Sequence, residues 1–148
     1  MKALLQRVSH ASVEVAAERV GSIDTGLLVL LGLQQGDSLA NGRRLLEKLL
    51  DYRVFPDADE RMNLSVKDIS GGVLLVSQFT LAASTRKGLR PSFSAAMPPA
   101  EAEVLYLQLL DLLRELHPVV SAGIFGADMQ VSLTNDGPVT FLLEVAPG

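Results

Sequence analysis

Gly26-Leu27-Leu28-Val29-Leu30-Leu31-Gly32 is apolar throughout and bounded by glycine at both ends. It is far too short to span a bilayer, which takes about 20 apolar residues, and it fits a central strand buried on both faces. A second apolar run, Val73-Leu74-Leu75-Val76, opens at Gly71-Gly72 and continues into Ser77-Gln78-Phe79-Thr80. It reads as another buried strand whose far end turns polar, a pattern that marks a chain emerging at a pocket. With 148 residues, 48% of them hydrophobic, the chain has the material for one domain with a real core around these strands.

The rest of the chain supplies the cover. Lys2 to Val8 and Ala11 to Ala16 predict two short strands, with Val13 and Val15 alternating with Ser12 and Glu14. Arg7, inside the first, is either a surface strand residue or part of a pocket wall or interface. Asp37 or Ser38 caps a helix running to about Tyr52, with Leu45, Leu46, Leu49 and Leu50 inward and Gly42 delaying its start. Pro56-Asp57-Ala58-Asp59-Glu60 is an acidic surface loop without calcium-loop spacing. Pro98-Pro99 precedes a second helix, Ala100 to Leu116, with a stripe of Leu105, Leu109, Leu112 and Leu116 that ends at His117-Pro118. Val119 to Phe125, Met129 to Leu133 and Val139 to Val145 predict the closing strands. Asn135-Asp136-Gly137 has the composition of a hairpin tip, although Pro138 would start the returning strand without an amide donor. This order predicts an α+β fold over residues 1–148, largely antiparallel, with two helices packed on a curved sheet or barrel.

Composition narrows the chemistry. Without cysteine there is no disulfide framework, thiolate nucleophile or cysteine metal site. The two histidines, His10 and His117, have no evident partners, so neither a histidine metal centre nor a Ser-His-Asp triad is expected. No cofactor and no metal are expected. The N-terminus lacks a secretory apolar region, which points to a cytoplasmic protein with no membrane partner. A net charge of −4 argues against tight, non-specific binding to duplex nucleic acid, DNA included. Arg86, Lys87 and Arg90 form one local basic cluster, which is either a solvated loop or a phosphate contact. By elimination, an enzyme built from this chain works through backbone amides, hydroxyls and its substrate's own groups.

Ser77-Gln78-Phe79-Thr80-Leu81 and Asn135-Asp136-Gly137-Pro138-Val139-Thr140 together resemble the two signature motifs of the D-aminoacyl-tRNA deacylases. Gln6-Arg7-Val8, Gly26 to Gly32, Met62-Asn63-Leu64, Arg90-Pro91-Ser92-Phe93 and Gly123 to Met129 are also similar to that family. The resemblance implies a homodimeric hydrolase that cleaves the ester between a D-amino acid, or glycine, and the terminal adenosine of tRNA. It implies that Gly137-Pro138 is a cis pair that enters the neighbouring subunit's site. A rigid wall there would collide with L side chains and admit D side chains and glycine. Two roles compete for Thr80: nucleophile, for which no base is evident, or part of a main-chain site. In the second, favoured reading, the amides of Phe79 and Thr80 hold the carbonyl oxygen, Ser77 and Gln78 shape the pocket, and the ribose 2′-hydroxyl assists. Arg7 is expected to hold the partner's incoming Gly137-Pro138, with Asn135 in support. Phe125 and Met129 are expected to line an adenosine pocket or simply the core, and Arg86, Lys87 and Arg90 to meet acceptor-stem phosphates. The rivals are a non-catalytic binder of the tRNA 3′ end and a structural dimer locked by the Asn135–Thr140 segment.

Overall fold

The computed structural model describes residues 1–148. The two apolar runs lie side by side in parallel: β3 (Gly26–Gly32) pairs with β6 (Gly72–Ser77) from Gly26 opposite Gly72 to Leu31 opposite Ser77. Both are buried on two faces. Leu27, Val29, Leu31, Val73 and Leu75 face a core shared with the helices. Leu28, Leu74 and Val76 face a second core with Val8, Ala11, Val13 and Ile23. Parallel neighbours need long crossovers. The first contains α1 (Leu39–Asp51), β4 (Phe55–Pro56) and β5 (Met62–Leu64), and the second contains α2 (Pro99–Leu116), which leads to β7 (Val120–Ala122) parallel to β6.

The N-terminal segment is one strand where two were expected. β1 (Lys2–Val15) stays in the ladder through its polar middle. Its first half pairs antiparallel with β3 and its second with β2 (Glu18–Ile23). An irregularity between Val8 and His10 changes which side chains face inward. Ala3 and Leu5 therefore join the helix-side core, while Ala11 and Val13 join the other. β2 curls back toward β7, where the Ser22 amide donates to Ser121 Oγ at 3.0 Å. The result is a nearly closed, barrel-like mixed sheet with two helices on one side, an α+β fold.

The hairpin reading of Asn135–Gly137 is overturned. The segments on either side belong to one antiparallel strand, β8 (Gln130–Glu144), which follows β1 along its other edge. Val8 stands opposite Asn135 and Gln6 opposite Thr140, so the residues between them leave the ladder as a bulge and rejoin it in the same direction. Gly137, at φ 134°, supplies the backbone conformation for this excursion.

The helix boundaries follow local chemistry. Ser38 caps α1 reciprocally with Asn41, its amide donating to Asn41 Oδ1 at 2.6 Å. Asp37 instead accepts from the Met1 amino group, the Gln34 amide and Asn41 Nδ2. Gly42 does not delay the helix: it is buried where α2 crosses, and a Cβ there would collide with Leu109. The inward face of α2 is Ala102, Leu105, Tyr106, Leu109, Leu110 and Leu113, and Leu112 and Leu116 lie half-buried at its border. His117 ends α2 and donates from Nε2 to the Gly71 carbonyl at 2.7 Å, tying the helix to the start of β6. In the acidic loop, the Arg61 amide, the Asp59 amide and Asn63 hold the Asp57 carboxyl below its usual range. No helix is long and apolar enough to cross a membrane.

Candidate active site

β6 leaves the sheet at Ser77, and the chain tightens into a 3₁₀ turn over Phe79–Ala82. The predicted strand through Thr80 thus stops three residues early. The Gln78 amide still reaches back to the Leu31 carbonyl at 2.8 Å, so the turn starts from a fixed point. The amides of Phe79 and Thr80, first in the turn, have no acceptor within it. Gly32 makes this geometry possible: a Cβ there would stand 2.8 Å from Leu81 Cβ and 3.2 Å from the Gln78 carbonyl oxygen.

Beside the turn is a cavity of about 700 Å³, open at the carboxyl ends of β3 and β6. Ser77, Gln78, Phe79, Phe125 and Met129 line it together, bringing five of the sequence-predicted residues to one place. Leu33, Met97 and Ala102 form apolar wall. Tyr106 is the sole titratable side chain among the lining residues. Burial pushes its hydroxyl up to about 12, and it donates to the Leu75 carbonyl at 3.2 Å, so it keeps its proton at neutral pH. The cavity wall of this chain therefore offers no carboxylate, imidazole or amine as a base. Thr80 lies exposed outside the lining, and its hydroxyl accepts from Gln78 Nε2.

Sequence reasoning missed Phe93 and Tyr106. Phe93 stands at the cavity mouth against Phe79, with ring centroids 5.3 Å apart. Tyr106 packs at 5.7 Å from Phe125. The apolar period of α2 held the signal for Tyr106, which sits on its inward face; Phe93 belongs to no period. Arg86, Lys87 and Arg90 do not line the cavity. They project from an exposed arm beyond it.

The second motif is elsewhere in the chain. Gly137 and Pro138 are exposed at the crest of the bulge, joined by a cis peptide bond. Neither lines the cavity, and the strand order β8-β1-β3-β6 puts two strands between β8 and the strand that carries Ser77. Side chains brace the bulge from both ends. Arg7 donates from Nε to the Asp136 carbonyl at 3.0 Å and from a terminal nitrogen to the Val54 carbonyl at 2.7 Å. Asn135 Oδ1 accepts from the Val139 amide at 3.0 Å, and Asn135 Nδ2 donates to Thr140 Oγ1 at 2.9 Å. Within its own chain Arg7 thus holds the bulge.

The profile of the family described as D-Tyr-tRNA(Tyr) deacylase matches residues 4–144. The chain belongs to that family. It is 65% identical over 144 residues to a D-aminoacyl-tRNA deacylase of Stutzerimonas stutzeri (strain A1501), covering 97% of this chain and 99% of that one. A protein of the same name from Cellvibrio japonicus (strain Ueda107) is 59% identical over 145 residues, covering 98% and 99% of the two chains. Among solved structures, one described as a c-Myc DNA unwinding element binding protein superposes with a TM-score of 0.94 at 42% identity, covering 99% of each chain. Another, described as a probable eukaryotic D-amino acid tRNA deacylase, gives 0.86 at 16% identity over 97% and 98% of the chains, a likeness of fold.

Proposed function

We propose that this chain hydrolyses the ester joining a D-amino acid to the 3′-terminal adenosine of tRNA, with glycine on a non-cognate tRNA as a further substrate. The observation that carries the mechanism is the cavity itself: Ser77, Gln78 and Phe79, at the entry to the turn, form part of its edge, and no lining side chain can act as a base at neutral pH. Water adds to the ester carbonyl, the bond to the ribose 3′-oxygen breaks, and that oxygen takes a proton, releasing free amino acid and tRNA. The amides of Phe79 and Thr80 hold the carbonyl oxygen as its charge develops. The ribose 2′-hydroxyl assists, Ser77 and Gln78 shape the reacting end, and Phe125 and Met129 receive the adenine face. Arg86, Lys87 and Arg90 meet phosphates.

The enzyme works as a homodimer in the cytoplasm. Within one chain Gly137-Pro138 is remote from the cavity, so the bulge serves the partner's site, where it excludes L side chains. The bracing by Arg7 and Asn135 supports that role, because a wall discriminates only if it does not yield. The test is a deacylation time course on one tRNA charged with a D-amino acid, its L enantiomer or glycine. Release of the D-amino acid and glycine with the L ester intact is expected. A folded protein that releases none of them overturns the reading and leaves a binder of the tRNA end.

A further inference from the structure

Phe79 and Phe93 pack on each other at an interplanar angle of 45°, yet Phe79 is 63% and Phe93 41% exposed. Two touching aromatic rings facing water at a cavity mouth are an apolar patch of the kind that marks a contact surface. The arm carrying Phe93 is held in place. Ser84 and Ser92 exchange backbone hydrogen bonds of 2.7 and 2.9 Å, closing the loop between them. The returning leg is tied to the end of β3, with Gln35 donating from its amide to the Ala95 carbonyl at 2.9 Å and from Nε2 to the Ser94 carbonyl at 2.8 Å.

Charge identifies the occupant. From Ile69 to Ala100 the chain has three cations, Arg86, Lys87 and Arg90, and no carboxylate side chain; all 17 Asp and Glu residues lie outside that stretch. Exposed rings beside cations, with no anion in the segment, are the combination that binds single-stranded nucleic acid by stacking and backbone contact.

We propose that the Phe79 and Phe93 rings form a stacking platform for the nucleotide preceding the terminal adenosine of a single-stranded RNA 3′ end. This rests on the proposed function: with the terminal nucleoside in the cavity, the strand leaves past these two rings, and its phosphates continue toward the arm. Stacking uses the face common to all bases, so the platform reads single-strandedness and not sequence.

The test compares D-aminoacyl esters of adenosine, of the trinucleotide CCA and of whole tRNA. The wild-type protein is expected to prefer the trinucleotide to adenosine by about ten-fold in kcat/KM, mainly through KM. Phe93→Leu, which keeps apolar bulk without a flat face, should erase most of that preference, and Phe93→Trp should restore it. Equal rates on the two short esters in the wild type overturn the platform and leave the proposed hydrolase standing. An equal loss on all three esters in Phe93→Leu overturns it too, because it makes the ring a support of the cavity. A fall in dimer content by sedimentation with the ester preference intact assigns the rings to a subunit interface and also overturns it. Failure of the wild type on all three esters sinks the hydrolase and the platform together.

Discussion

The two motifs are built in opposite ways. The Ser77–Thr80 turn ends a strand buried on both faces and is positioned by backbone: the Gln78–Leu31 hydrogen bond and the close approach at Gly32. The Asn135–Thr140 bulge leaves a strand that, within the chain, pairs on one side only and is positioned by side chains, those of Arg7 and Asn135. A site that uses amides to stabilise charge needs its backbone fixed by the core. A surface that rejects a shape needs only local bracing. Activity and selectivity should therefore respond to different substitutions.

The largest effect is expected from Gly32→Val. Its side chain would push on Leu81 and the Gln78 carbonyl and displace the turn, and misplacement by about 1 Å costs on the order of 100-fold in rate. Steady-state kinetics on D-aminoacyl-tRNA, with circular dichroism to confirm the fold, checks this; a rate near wild type would show that the turn is not set from β3. Next comes Asn135→Ala, which leaves the Val139 amide without its acceptor at a cost of about 1 kcal/mol. Hydrolysis of the L ester relative to the D ester should rise about five-fold, with D activity little changed. An unaltered ratio would separate the bulge from selectivity. Thr80→Ala should do least, lowering kcat no more than a few-fold, since its hydroxyl has no base and lies outside the cavity lining. Loss of nearly all activity in a folded protein would make Thr80 the nucleophile.

Much of the fold was legible because burial on both faces leaves an unmistakable mark. Gly26–Gly32 and Val73–Val76 are short, apolar and led by glycine, as buried strands are, and of the two caps offered, Asp37 and Ser38, it is Ser38 that starts α1, with no delay at Gly42. The edge strands were harder. Ser9 and His10 looked like a break between strands because they are polar and exposed, yet their backbone stays in the β1 ladder. Asn135-Asp136-Gly137 looked like a reversal because positive-φ residues serve hairpins and bulges alike, and only the partner strand decides which forms. The cavity was foreshadowed by the polar end of β6. Its far wall was not, because Phe93 and Met97 sit on an irregular connection whose place depends on tertiary hydrogen bonds to Leu33 and Gln35.

Bonded within the chain to one neighbour, β8 is the kind of segment that opens locally at less free energy than the whole chain. In the proposed dimer, an unseated bulge would leave the partner's cavity without its wall. The equilibrium between seated and open bulge then sets a floor under the error rate of the proposed proofreading, whatever the chemistry achieves. An opening free energy of about 4 kcal/mol would let roughly one encounter in a thousand proceed unchecked. On the proposed function, accuracy would be a property of strand fraying, with the hydrogen bonds of Arg7 and Asn135 setting its limit.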